Sequence, residues 1–315
     1  MAKQKLSLTN DPIHITIENA IDSYYSYCET RGLSPQTVRN YTKTLEDFFA
    51  FTNSLYLKYM NEIDVYTFER YVHYLRDTKE RDSTVNFYIT NLRAFIKWAA
   101  ERKFLQEFKM RNIKEDKPLQ PVLSEDELKV LLRKPTKPKD FIEFQTWALE
   151  CFLFGTGARI GATLDLKIED IDLKANTITM NRTKNRKGII IPISHSLNKV
   201  LVEFLKKRKG HPEDYLFCNA YGDKASESSI ARQIHNYNLA RGINKSGAHI
   251  FRRAFAKQYI LNGGNTFALQ KLMCHSSITT TKVYVDLYST DLQKDYNKLN
   301  PLDNLTLRGE KIKIK

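Results

Sequence analysis

Long apolar runs are missing from this chain, and so are paired cysteines. No segment reaches the length of a membrane-spanning helix, and the opening MAKQKLSLTN has no apolar signal-peptide core. A membrane protein or a secreted precursor is therefore not expected. The four cysteines, Cys28, Cys151, Cys218 and Cys274, are scattered and form no Cys-x-x-Cys pair. That excludes a disulfide framework and a zinc knuckle and fits a reduced, cytoplasmic setting. Internal repeats and low-complexity blocks are absent too. Acid is in short supply: 36 Asp and Glu face 50 Lys and Arg, a formal charge of +14. Such an excess favours a polyanionic partner, most simply nucleic acid. What is present is ample apolar material, 42% of 315 residues, enough for one large or two ordinary cores.

The first hundred residues carry helical periodicity. Ile17, Ile21, Tyr24 and Cys28 recur at helical spacing. The stretch RGLSPQT then supplies a break and a restart, with Ser34 as cap and Pro35 at the first helical position. Val38, Tyr41, Leu45, Phe48 and Phe49 form the next stripe. A third helix is predicted from Asp64, with Val65, Phe68, Tyr71, Val72 and Leu75 inward. A fourth is predicted from near Ser83, with Val85, Ile89, Leu92, Phe95, Ile96 and Ala99 inward. Four helices with short connections make a small bundle. Lys43, Arg70, Arg76, Arg81, Arg93, Lys97, Arg102 and Lys103 fall on its outer faces, as a solvated or a DNA-facing surface.

Residues 106 to 122 are charged, weakly periodic and contain Pro118 and Pro121, which reads as a linker. Ser124 with Glu127 three residues on is a capping box that opens a new helix. The expected division is a helical domain over 1–108, a linker over 109–122 and a second domain over 123–315. In that second domain, residues 140 to 154 form a strongly apolar helix ending at the Gly155-Thr156-Gly157 turn. Residues 168 to 193 alternate and turn, predicting two or three short antiparallel strands with turns at 175–176 and 185–188. Helices follow over about 197–210, ending at Gly210, over about 228–240, and over about 252–261. The fold class expected is mainly α with a small antiparallel β-sheet.

Four separated pieces carry candidate chemistry. Arg159 stands just after the turn in GTGARIGATLDL. Lys184 sits at the tip of the hairpin MNRTKNRKGIII, where Arg182, Arg186 and Lys187 are alternatives. His249 and Arg252 lie three apart in AHIFRRAFA, on one face of a helix turn. His275 precedes Tyr284 by nine residues in LMCHSSITTTKVYVDLY, and Tyr288 follows one helical turn later. Two arginines can clamp phosphodiester oxygens bidentately and stay charged throughout. A tyrosine with a pKa of about 10 is a weak nucleophile at neutral pH, and clustered positive charge favours its phenolate. A lysine can protonate a departing 5′ oxygen, and histidines titrate close to neutral. Taken singly, each residue has an ordinary structural reading. Tyr221, Tyr237 and Tyr259 read as packing residues.

Together, in this order and spacing, these pieces resemble the tyrosine recombinase family of phage and transposon integrases and Xer-type recombinases. The resemblance covers nearly the whole chain. It implies an N-terminal four-helix core-binding bundle and an α+β catalytic domain. It implies that Arg159 and Arg252 clamp the phosphate, that Lys184 is the general acid, and that His249 and His275 orient the phosphate and help move the tyrosine proton. Tyr284 would be the nucleophile, giving a 3′-phosphotyrosine and a free 5′-hydroxyl without ATP, other cofactor or metal. The implied partners are double-stranded DNA at specific core sites and three further copies of the chain, a tetramer working through a Holliday junction. Location would be cytoplasmic, associated with the nucleoid.

Three positions depart from the family's pattern. Ala162 stands where an acidic residue usually follows three after the first arginine. Cys274 replaces the glycine before the signature histidine. Arg253 occupies a place where many relatives have histidine. Residues 289–300 are expected to form a short helix that packs into a neighbouring protomer or back on the same chain. The tail LRGEKIKIK is an edge strand or a basic arm. No arm-binding domain is expected ahead of the first helix. Three rivals remain: a topoisomerase using Tyr and Arg, a non-catalytic regulator on the same fold, and a metal nuclease using Asp165, Asp170 and Asp172. Mobile-element integration is the expected role, with dimer resolution as the alternative.

Overall fold

A computed structural model describes residues 14–79, 81–116, 121–180 and 188–273. The chain divides into two compact units, Met1–Pro118 and Leu119–Lys315, each with its own apolar core.

The first unit holds α1 (Ile17–Thr30), α2 (Pro35–Ser54), α3 (Val65–Thr78) and α4 (Asp82–Glu101), with one 3-10 turn at Met60–Glu62. Local chemistry fixes where these helices start. Thr16, Ser34 and Asp64 each accept a hydrogen bond from the backbone N–H three residues on, and Pro35 occupies the first turn of α2. The inward stripes are Ile17, Ile21, Tyr24 and Cys28 on α1, and Leu45 and Phe48 on α2, with Phe51 added. Tyr71 is fully buried, and its hydroxyl donates to Asp47 at 2.8 Å. Asp47 also receives Lys79 at 2.8 Å. Residues 105 to 115 follow the bundle closely. Leu105 and Met110 join its core, and Arg93 and Asn86 bind the backbone of Met110 and Ile113.

The second unit is organised round α6 (Phe141–Thr156), an almost wholly apolar helix packed by α8 (His195–Arg208), α9 (Glu227–Leu239) and α10 (Ala248–Leu261). A helix apolar on every face is stable only when surrounded. Its buried Gln145 is satisfied as a backbone strand would be: Nε2 donates to Cys218 O at 2.8 Å, and Oε1 accepts from Cys218 N at 3.0 Å. Ahead of it α5 (Glu125–Leu131) starts at the Ser124–Glu127 capping box. The short α7 (Ile160–Leu164) follows, then the sheet β1 (Ile171–Asp172), β2 (Thr177–Met180) and β3 (Ile189–Pro192), antiparallel in the order β1-β2-β3. Met180 pairs with Ile189, and alternation puts Ile178, Met180 and Ile191 in the core and Ile190 outside. The described chain closes with α11 (Thr266–Leu272).

Several expectations need correcting. α10 starts at Ala248, a turn earlier than 252, because Gly247 at φ 96° makes the break and Ile250 and Phe251 already belong to the buried face. α8 ends with Lys209, not Gly210, in the left-handed conformation. Gly210 follows it, where a Cβ would lie 2.6 Å from the end of the Ile168 side chain. α11 was not expected at all. Tyr221 is 90% exposed on a turn and packs against nothing, whereas Tyr237 is buried and donates to Leu131 O at 3.2 Å.

Candidate active site

The end of α6 presents the first arginine. Thr156 bonds back into the helix, and its Oγ1 accepts from Ala158 N at 3.2 Å. Gly157 then turns left-handed at φ 63°, and its N–H donates to Leu153 O at 2.9 Å. No side chain fits at Gly157, because a Cβ would come within 2.3 Å of the Phe255 ring on α10. Arg159 emerges from this turn as the cap residue of α7, half-buried, with its carbonyl accepting from Thr163 N and Oγ1.

The second arginine is locked to the same turn. Arg252 on α10 is 4% exposed. One terminal nitrogen donates to Gly157 O, and the other donates to Met273 O at 2.7 Å. A buried guanidinium stays charged and needs such acceptors to offset its lost hydration. Through this one side chain the turn before Arg159, the body of α10 and the end of α11 meet.

His249, one turn before Arg252, keeps an exposed face. Its titration is lowered from the ordinary value of 6.5, first by loss of hydration and then by the charges of Arg252, Arg253 and Arg159, with Glu227 opposing. The imidazole is accordingly neutral at pH 7 and able to accept a proton. Arg159, Arg252 and His249 therefore form one electrostatic group, with Arg253 as a fourth member.

Lys184, His275 and Tyr284 lie outside the described residues, as do Tyr288 and Cys274. β2 and β3 on either side of residues 181–188 are fixed to the core by Ile178, Met180 and Ile191. The described chain ends at Met273, the residue whose carbonyl Arg252 holds. The three carboxylates weighed as metal ligands are used locally. Asp165 pairs with Lys224, Asp170 accepts from Lys167 N at 2.8 Å, and Asp172 accepts from Lys174 N and Ala175 N. Among the described residues no group of three or more His, Cys, Asp or Glu could hold a metal ion, and no helix is long and apolar enough to cross a membrane.

Family comparison accounts for both units. Residues 121–290 match the phage integrase family, and residues 21–103 match the phage integrase N-terminal SAM-like domain. The chain belongs to the phage integrase family, the tyrosine recombinases. A relative among this family, tyrosine recombinase XerD of Staphylococcus haemolyticus, is 26% identical over 298 residues, covering 90% of this chain and 99% of the relative. The crystal structure of XerA recombinase is similar at 26% identity and a TM-score of 0.51, covering 90% of this chain and 99% of XerA. A lambda integrase dimer bound to a COC′ core site shares the fold at 19% identity and a TM-score of 0.69, covering 96% of this chain and all of that one. The four-helix bundle and the mainly helical second unit with its small antiparallel sheet are thus the integrase architecture.

Proposed function

We propose that this integrase-family chain is a site-specific DNA recombinase that cuts and rejoins DNA through a 3′-phosphotyrosine and a Holliday junction. The observation that carries the reading is Arg252. Buried and bound to the carbonyl of Gly157, it ties its own charge to the turn that presents Arg159, beside a neutral His249.

A phosphodiester under in-line attack gathers charge on its non-bridging oxygens. Arg159 and Arg252 supply fixed positive charge to those oxygens. The Tyr284 oxygen attacks the phosphorus, which keeps its bond to the 3′ oxygen while the bond to the 5′ oxygen breaks, so the 3′ phosphate becomes linked to the phenol. Lys184 gives that 5′ oxygen its proton. His249, whose titration is lowered first by loss of hydration and then by its three arginine neighbours, orients the phosphate with His275 and helps take up the phenol proton. The bond energy stays in the phosphotyrosine, so religation needs no ATP.

The domain roles follow. Residues 1–108 serve as the core-binding domain, 109–122 as the connection and 123–315 as the catalytic domain with a C-terminal oligomerisation segment. Exposed Lys43, Arg70, Arg76, Arg81, Lys97, Arg102 and Lys103 suit phosphate contact. The working unit is a tetramer on two duplexes, in the cytoplasm on nucleoid DNA. Movement of a mobile element is the biological role we favour. Resolution of dimers is the second reading, favoured by relatives named XerD that match over nearly their full length.

Recombination between two copies of the target site on one plasmid tests the reading. The intervening segment should be released as a circle in EDTA, and not by an Arg252→Ala variant. Cleavage that requires added magnesium and leaves linear ends would contradict it.

A further inference from the structure

Glu227 is the first residue of α9, after the cap Ser226, whose Oγ accepts from Ser229 N at 3.1 Å. A small groove between α7 and α9 is lined by Gly161 and Leu164 on one side and by Lys224, Ala225, Ser226 and Glu227 on the other. The carboxylate of Glu227 lies across Gly161: a Cβ placed on that glycine would stand 2.9 Å from Oε1, with no other contact within 4 Å outside its own chain neighbours. Gly161 is thus the gap through which an acidic group from a distant part of the sequence reaches the short helix that Arg159 caps. The adjacent Lys224 is engaged with Asp165 on the far end of α7.

The charged groups acting on His249 come from three elements. Arg252 and Arg253 share α10 with it, Arg159 comes from the start of α7, and Glu227 from the start of α9. Glu227 is the one acid among them. Three guanidiniums within range of one imidazole repel its protonated form and pull on any anion nearby. A fixed carboxylate limits both effects. It also reaches Gly161, the chain neighbour of Ala162, the position where the family's pattern carries an acid and this chain has none.

We propose that Glu227 is a positioning residue of the active site, its carboxylate admitted by Gly161 to act as the acidic counterpart of the Arg159, Arg252 and Arg253 cluster and to support the proton affinity of His249. The proposal rests on the recombinase reading for its purpose, but its test does not.

The test is the titration of His249, followed by NMR of histidine-labelled full-length protein, with the resonance assigned by its loss in His249→Asn. Wild type is compared with Glu227→Gln, Glu227→Asp and Gly161→Ala. Removing the negative charge should make His249 titrate at lower pH in Glu227→Gln, while Glu227→Asp stays close to wild type. Gly161→Ala is a helix-favouring change whose only obstacle is the end of a flexible side chain, so it should fold well. It should nonetheless displace the carboxylate and shift His249 in the same direction. If His249 titrates identically in wild type, Glu227→Gln and Gly161→Ala, the proposal fails. If Glu227→Gln does not fold, Gly161→Ala alone decides. In covalent DNA capture, the acid limb of the pH–rate profile should move with His249; a limb that stays put counts against the proposal. Wild type that captures no DNA would instead overturn the recombinase reading and leave the titration to judge Glu227.

Discussion

At Arg252 a permanent charge is enclosed by protein, and two backbone carbonyls, of Gly157 and Met273, accept from it among the described residues. A carbonyl holds a guanidinium without carrying a formal charge of its own. Lysine at 252 would keep a charge but lose the planar fork. Arg252→Lys is expected to lower DNA cleavage by roughly 10²-fold or more, measured as the rate of covalent capture. The truncation Arg252→Ala also strands two buried carbonyls and should cost about 1–3 kcal/mol in a urea melt. Glu150 is the opposite case: fully buried on α6, with no hydrogen-bond partner for either oxygen among the described residues. Burial raises its carboxyl well above the usual range, against a smaller opposing pull from Arg241. A carboxyl that holds its proton better folded than unfolded makes stability fall as pH rises beyond the unfolded value of about 4.3, until the raised folded value is reached. Glu150→Gln should remove that part of the slope in melts compared at about pH 5 and about pH 8; an unchanged slope would contradict it. In the sequence, Arg159, His249 and Arg252 were legible because each stands in a short motif. Glu227 was not, because its relation to Gly161 is made by packing between distant helices and leaves no local spacing to read.

Elements differ in how openly they announce themselves. The starts of α2, α3 and α5 follow from Ser34, Asp64 and Ser124, since a cap acts within three residues. The start of α10 depends on Gly247 taking φ 96°, and the end of α8 on Lys209 taking φ 48°. Both are backbone turns, which the spacing of apolar residues does not record. The most demanding of these junctions lies between α6 and α7. Gly157 combines a left-handed backbone with a ring of Phe255 where a side chain would begin. The backbone alone would cost a non-glycine residue about 1–2 kcal/mol, and displacing the ring adds to it. Gly157→Ala should therefore lower the stability of the second unit by more than about 2 kcal/mol and, because the Gly157 carbonyl holds Arg252, reduce cleavage further than the stability loss explains. Urea melts and capture rates on the same preparation check this. Cleavage that follows the folded fraction alone would show that the turn has no part in the chemistry.

Across the whole molecule the excess of cations is the broadest property and the first one visible, at +14. It favours binding to a polyanion without saying where the chain cuts. Binding that neutralises about six to ten phosphates weakens by roughly 10³ to 10⁵ between about 50 and about 200 mM salt. A steep fall of this kind is expected for this chain on duplex DNA, read by band shift; a flat salt response would place its charge elsewhere. The central claim is narrower than affinity, namely that Tyr284 becomes covalently joined to DNA. The most direct measurement is capture in EDTA: DNA from the protein's own source is mixed with the chain, quenched with SDS, and the attached fragments are recovered and sequenced. Wild type should retain DNA through a 3′ phosphate at a defined sequence, and Tyr284→Phe should retain none. Equal capture by both proteins, or capture by neither, would contradict the assignment of Tyr284 as the nucleophile.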